Sequence, residues 1–407
     1  MEKLAIEGGT PVNNKPFPGW PAFSEKSFNM VLEPLKTRKL NYWGGTYGNQ
    51  FEKKLAEWHN SKYCVTTVNE YGAFHLALLA AGLGEGDEII CPSYMYFPPL
   101  FAILNIGAIP ILVDVDFSHT IDPKEVEKKV TKKTKAIIVS HMYGVVSDMG
   151  PILDIAQKNN LFVMEDCTEC FGGQYKGKKT GTIGDVGCFN LCHTKHLITG
   201  GEGGAVITDN KDIYLKCFSL RDYGFNTDEG LDMIKFEQEF LYTHDKIGFN
   251  YRMTEIQSVL GLCELERMDD WNLPLRKKYG RFLTETLKTH PLVLHTPLDT
   301  QDRQNSFWWA PIVLDVDKLK VDIKQFKKAM EAEGVPVYGA LWPELYKEKA
   351  YIDYMKARNL YDPTLECKTA KWLFDRTISL FTHPIYEVEH LKKYIEVFNK
   401  VAKAYMK

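Results

Sequence analysis

The chain has 407 residues with 50 Lys and Arg against 53 Asp and Glu, a formal charge of −3; it is long enough for two domains that need no staples and lacks the basic excess of a nucleic-acid binder. No run reaches the roughly 18 apolar residues of a membrane-spanning helix, and MEKLAIEGGTP has no apolar core with a cleavage site, which predicts a soluble cytoplasmic protein with no membrane partner. Nine cysteines, several inside apolar runs such as Val186-Gly187-Cys188-Phe189, read as small buried hydrophobes in a reducing compartment, not as a disulfide framework.

Between residues 60 and 210, short β-branched runs alternate with helical patterns: EIICPSY, IPILVDVD, KAIIVSH, LFVMEDC, VGCFNL and GAVITD, each bounded by Gly, Pro or Asn. Runs that are apolar nearly throughout are what strands covered on both faces look like. The pattern predicts an α/β fold with a mostly parallel central sheet sandwiched by helices. Thr254 to Met268 has apolar residues at helical spacing and predicts a long helix leaving that core. Beyond it, WWAPIVL, the helical VDIKQFKKAMEAEG and VPVYGAL predict a strand–helix–strand unit, closed by an amphipathic helix near EVEHLKKYIEVFNKVAKAYM. The chain thus divides into a large domain at 1–262, N-terminal segment included, and a smaller C-terminal α/β domain at 263–407.

The stretch CHTKHLITGGEGG, Cys192 to Gly204, sets Lys195 in a loop after VGCFNL and before paired glycines that leave room for a close approach to the backbone. By base rate a lysine is a solvated surface charge, but here apolar strands flank it on both sides. Asp166 ends LFVMED at the carboxyl edge of the sheet, where parallel-sheet proteins build sites, although a helix N-cap is a common job for aspartate there. A lysine and an aspartate at the carboxyl ends of two strands can hold a pyridine ring between them. A metal is weighed and set aside. Cys188, Cys192, His193 and His196 offer soft ligands and Cys167-Thr168-Glu169-Cys170 is a C-x-x-C, yet neither set has the paired spacing of a zinc site, and adjacent Cys192 and His193 point opposite ways.

GTIGDVGCFNLCHTKHLITGGEGGAVITD closely resembles the lysine segment of the DegT/DnrJ/EryC1/StrS aminotransferases, fold-type I pyridoxal-phosphate enzymes that aminate keto sugars and keto cyclitols. GGTPVNNKPFPGWP resembles the amino terminus of members acting on inososes and of aminohydroxybenzoate synthases, and GLGEGDEIICPSYMYF, PILVDVD, HMYG, MEDCTECFGG, NYRMTEIQSVLG and SLFTHP follow in family order, so the likeness spans nearly the whole chain. The resemblance implies an amino group moved from glutamate or glutamine to a keto sugar or keto cyclitol, with pyridoxal 5'-phosphate as cofactor and a homodimer with shared active sites. By position it implies Lys195 as the lysine that forms the Schiff base with the cofactor and does the acid–base work. It likewise implies Asp166 as partner of the pyridine nitrogen, Tyr96 as the ring stacked on the cofactor, and Asn250 as the asparagine that reaches the phosphate from the neighbouring subunit.

Three departures fall in the same pocket. Asn69-Glu70-Tyr71 stands where the family usually has a Ser-Gly-Thr turn cradling the phosphate, which sets a carboxylate near an anion although the helix N-terminus stays attractive. Asn190 replaces a serine and can still donate from its amide. Glu169 replaces a glutamine that meets the ring hydroxyl. With Lys195, Asp166, Tyr96 and Asn250 kept, the reading is a retuned enzyme. The alternatives are a catalytically silent binding or regulatory dimer, supported by Asn69-Glu70-Tyr71, and a sugar dehydratase, whose known relatives have a histidine in place of the lysine. The aromatic segments LNYWGGTYG, SFWWAP and LWPELY are expected to line a sugar cleft or else simply to pack.

Overall fold

The computed structural model describes residues 3–227, 244–342 and 344–407. Seven strands, Tyr63–Thr67 (β1), Glu88–Pro92 (β2), Ile109–Val113 (β3), Thr134–Ser140 (β4), Phe162–Asp166 (β5), Val186–Asn190 (β6) and Gly204–Thr208 (β7), form one sheet in the order β1-β7-β6-β5-β4-β2-β3. Strands β2 to β6 run parallel, and β7 is antiparallel to both its neighbours. The mostly parallel sheet expected from the apolar runs is therefore present.

Only β1 escapes the sequence pattern, because its YCVTT ends in threonines. Thr66 is nonetheless a buried strand residue: its N–H and Oγ1 both donate to Glu52 Oε1, at 2.8 and 2.9 Å, from the helix Tyr47–His59 (α1). The helix Glu70–Ala80 (α2) is buried on nearly every face, which its sequence EYGAFHLALLA anticipates, and packs against β1, β6 and β7. Glu255–Glu266 (α3) begins at a capping box of Thr254 and Gln257, close to the predicted span. Glu255 in turn accepts the N–H groups of Thr46, Tyr47 and Gly48 at 2.8, 2.7 and 2.8 Å, so one buried carboxylate ties α3 to the start of α1.

A second sheet is antiparallel throughout: Val293–His295 (β8), Trp309–Leu314 (β9), Val337–Gly339 (β10) and Thr377–Phe381 (β11), in the order β8-β9-β11-β10. The expected strand–helix–strand unit is amended here. The strands β9 and β10 are not neighbours, since β11 inserts between them and hydrogen-bonds to both. The helices Leu273–Leu287 (α4), Ile323–Ala332 (α5) and Val388–Tyr405 (α6) close this layer through a core that includes Leu283, Phe326, Met330, Tyr394 and Phe398. The chain's first described turn packs here too, not on the layer with which the sequence grouped it. Leu4 joins this core, and the buried Glu333 accepts the N–H of Ala5 at 2.8 Å and of Val12 at 3.0 Å. Among the described residues no helix is long and apolar enough to cross a membrane.

Candidate active site

The carboxyl ends of β4, β5 and β6 bring Ser140, Asp166 and Asn190 to one edge of the sheet. Asp166 is 1% exposed, its Oδ2 accepting from Ser140 Oγ at 2.8 Å and its Oδ1 from Thr168 N–H at 3.1 Å. No helix starts after β5, so the N-cap role weighed for this aspartate does not arise. Ser140 went unnoticed in the sequence because its relation to Asp166 exists only once β4 and β5 are in register.

The turn after β6 carries Lys195, 3% exposed. Three consecutive carbonyls of that turn are gripped from outside it. Thr194 O accepts from Trp308 Nε1 at 2.7 Å, Lys195 O from Trp20 Nε1 at 3.2 Å, and His196 O from Asn272 Nδ2 at 2.7 Å. With the main chain so fixed, the Lys195 ammonium lies 3.8 Å from the centre of the Trp308 ring and 3.4 Å from Glu169 Oε1. The second distance is long for a charge-assisted hydrogen bond. Burial holds the neighbouring His196 imidazole well below its ordinary pKa, so it stays neutral, with Nε2 donating to Ser306 O at 3.3 Å.

Glu169 is fully buried, and its Oε2 accepts the Tyr143 N–H at 2.7 Å. Burial pushes its carboxyl up to about 7, against the opposing pull of the Lys195 ammonium and the Tyr143 N–H. Tyr143 sits at φ 59°, in the left-handed region, and is held there by its hydroxyl, which meets Tyr94 Oη at 2.8 Å and accepts the Leu341 N–H at 2.9 Å. The next position requires glycine: a Cβ on Gly144 would lie 2.5 Å from the Trp308 backbone nitrogen.

Lys195, Glu70, Tyr96 and Asn190 face one cavity of about 530 Å³, whose other walls are largely aromatic. Trp308 and Trp309 stack at 4.1 Å, and Trp342 lies nearly parallel to Trp308 at 6.0 Å. Two of the expected aromatic segments, SFWWAP and LWPELY, thus supply the wall. LNYWGGTYG does not, since Tyr42 and Trp43 pack on Phe218 and the Tyr42 hydroxyl donates to Glu52. Trp309 Nε1 and His383 Nδ1 are buried without a hydrogen-bond partner among the described residues, and both side chains line the cavity. A larger surface groove of about 790 Å³, between α1 and α3, brings together none of the predicted residues.

Asn190 Oδ1 accepts the Cys192 N–H at 2.7 Å, which leaves its NH2 end as the donor on the cavity side. Glu70 is the first residue of α2, behind an Asn69 cap that accepts the Gly72 N–H at 2.9 Å. Burial pushes the Glu70 carboxyl up, and nearby Glu202 adds to the rise. The side chain of Tyr71 does not line the cavity: its hydroxyl accepts from Asn105 Nδ2 at 2.8 Å and its ring lies beside His75. Successive helix positions point about 100° apart, so Glu70 and Tyr71 cannot both face inward. Asn250 lies outside the cavity, exposed, with Nδ2 donating to Tyr223 Oη at 3.2 Å.

Among the described residues the cluster able to hold a metal is His141, Glu165 and Cys167, not the sets weighed from sequence. The lone pairs of its carboxylate and imidazole are already used. Glu165 accepts the N–H groups of Gly181, Ile183 and Gly184 at 2.9, 2.7 and 2.8 Å, and His141 Nε2–H at 3.1 Å, while His141 Nδ1 accepts from Ser147 N–H at 3.1 Å. The cluster braces the loop that feeds β6.

The DegT/DnrJ/EryC1/StrS aminotransferase family model matches residues 21–399. The chain belongs to this family. It is 36% identical over 334 residues to the GDP-perosamine synthase of Escherichia coli, covering 81% of this chain and 86% of that one. It is 30% identical over 368 residues to the L-glutamine:2-deoxy-scyllo-inosose aminotransferase of Micromonospora echinospora, covering 88% of this chain and 86% of the other. Its fold matches that of the aminotransferase from Psychrobacter cryohalolentis with a TM-score of 0.87 and 29% identity, over 96% of this chain and 99% of that one. As a DegT/DnrJ/EryC1/StrS member the protein is an aminotransferase, with the α/β architecture read from its apolar runs.

Proposed function

We propose that this chain is a pyridoxal-phosphate-dependent enzyme that takes an amino group from glutamate or glutamine and delivers it to the ketone of a sugar or cyclitol. The observation that carries the reading is the buried Lys195 amine facing an aromatic-walled cavity, with the hydrogen-bonded Asp166 and Glu169 buried behind its lining at the same carboxyl edge of the sheet. The described residues fit the cofactor at its ring. Asp166, with both oxygens held, is a fixed anion for a protonated ring nitrogen; Lys195 Nζ is an amine for its aldehyde; Tyr96 is a flat face; and Glu169 meets the ring hydroxyl. Asn190 and the first N–H groups of α2, at Glu70 and Tyr71, suit the phosphate, with the Glu70 carboxyl as the opposing charge. Asn250 belongs in this reading to the neighbouring subunit's site, in a homodimer with shared sites.

When bound, the cofactor supplies an electron-accepting ring that carries the amino group from donor to acceptor. Lys195 Nζ gives and takes the proton at the substrate carbon, and the aromatic wall orients ring faces and excludes water. The unpartnered Trp309 Nε1 and His383 Nδ1 suit the hydroxyls of such an acceptor. Nine cysteines without a disulfide suit a reducing cytoplasm. Mixing the protein with pyridoxal phosphate should produce a visible absorption band that Lys195→Ala lacks, and glutamate or glutamine should convert it to the pyridoxamine spectrum. A wild-type protein with no band overturns the reading, and a band that neither donor converts points to a cofactor-holding protein of another kind.

A further inference from the structure

At Glu169 a carboxylate stands where the family commonly has a glutamine, which on sequence alone sets negative charge against the oxygen of the cofactor's ring hydroxyl. The surroundings resolve the conflict. Oε2 is committed as acceptor of the Tyr143 N–H at 2.7 Å, so Oε1, 3.4 Å from Lys195 Nζ, is the oxygen left to act. The titratable groups that face Glu169 are Lys195 from the turn after β6, Asp166 at the end of β5, and the hydroxyls of Tyr94, Tyr96 and Tyr143. Burial raises all three tyrosines, which keeps them neutral, so Lys195 is the single cation in this group. Without it, a fully buried carboxylate would stand beside a second one with a lone backbone N–H for support, and such a group takes up a proton.

The reaction that removes the cation also supplies the proton. When the Lys195 ammonium condenses with an aldehyde, two of its hydrogens leave with the aldehyde oxygen as water, and the third can pass as a proton from the nitrogen to a neighbouring base. If Glu169 Oε1 takes that proton, an N–H bond is broken, an O–H bond is formed, and the opposite charges of the pair cancel. Burial already drives the Glu169 carboxyl upward while the Lys195 ammonium restrains it, so loss of that restraint acts in the same direction. Resting on the function proposed above, we propose that Glu169 works as a carboxylic acid in the cofactor-loaded site, its proton on Oε1 and donated in a hydrogen bond to the ring hydroxyl oxygen. It then does a glutamine's work and stores the lysine's proton.

Infrared difference spectra of the full-length protein with and without pyridoxal phosphate test this. The wild type should gain the C=O stretch of a protonated carboxylic acid, shifted in D2O, and Glu169→Gln should not. Equilibrium binding of pyridoxal phosphate to Glu169→Gln should stay within about threefold of the wild type, whereas Glu169→Leu, which has no donor, should bind about tenfold more weakly or worse. A wild type that binds pyridoxal phosphate without gaining the acid stretch, or a Gln variant as weak as the Leu variant, overturns the role of Glu169 and leaves the aminotransferase reading standing. A wild type that takes up no cofactor overturns both.

Discussion

Among the described residues, the buried pairs Arg221–Glu52 and Lys195–Glu169 are built to opposite ends. Arg221 and Glu52 meet at 2.5 Å, and Glu52 is saturated by Thr66 N–H, Thr66 Oγ1 and the Tyr42 hydroxyl at 2.8, 2.9 and 2.6 Å. The guanidinium lies 4.1 Å from the Tyr42 ring centre and donates to Thr66 O at 3.0 Å. Lys195 and Glu169 stand 3.4 Å apart, with one backbone N–H on the carboxylate and an indole against the amine. In the first pair the carboxylate is fully satisfied and fixed, although Arg221 Nε and Nη2 find no hydrogen-bond partner among the described residues. The second is left short of partners, so its proton and its amine stay available for chemistry.

Substitutions should separate the two. Lys195→Ala should lower amino transfer by roughly 10² to 10⁴ through the lost proton transfer alone, yet its thermal midpoint should not fall, because the remaining carboxyl protonates. Glu52→Ala should do the reverse: urea unfolding should register a loss of about 3–5 kcal/mol, since Arg221 is stranded without its counter-charge. Trp308→Phe keeps a ring against the amine but frees the Thr194 carbonyl, and should cost about 1 kcal/mol of stability with a modest drop in rate. Glu70→Gln sharpens the contrast at the phosphate end. Cofactor affinity should rise by roughly 1 kcal/mol or less, and the gain should be larger at pH 8 than at pH 5. The sign follows from the raised Glu70 carboxyl, which is less ionised at the acid end than at the alkaline end and repels a phosphate only in its ionised form.

The strands β2 to β7 and the positions of Lys195 and Asp166 were legible because continuous β-branched runs and chain order carry them. What was not legible depends on register and distant pairing. The bond from Ser140 to Asp166 needs β4 beside β5, and β11 cannot be known as a central strand until both its partners fold against it. Glu70 stood out as a departure, but that Tyr71 faces Asn105 instead of the cavity is a matter of helix phase. The left-handed Tyr143 had no sequence signal beyond the glycine after it.

The grips on the lysine turn come from Trp20, Asn272 and Trp308, and this orders events during synthesis. A nascent chain carries its lysine and aspartate long before Trp308 has left the ribosome, and until then the turn lacks one of its three outside grips. The seat for an aldehyde is therefore complete only once Trp308 is in place, and a chain cut short before it would keep both residues without the indole that lies against the amine.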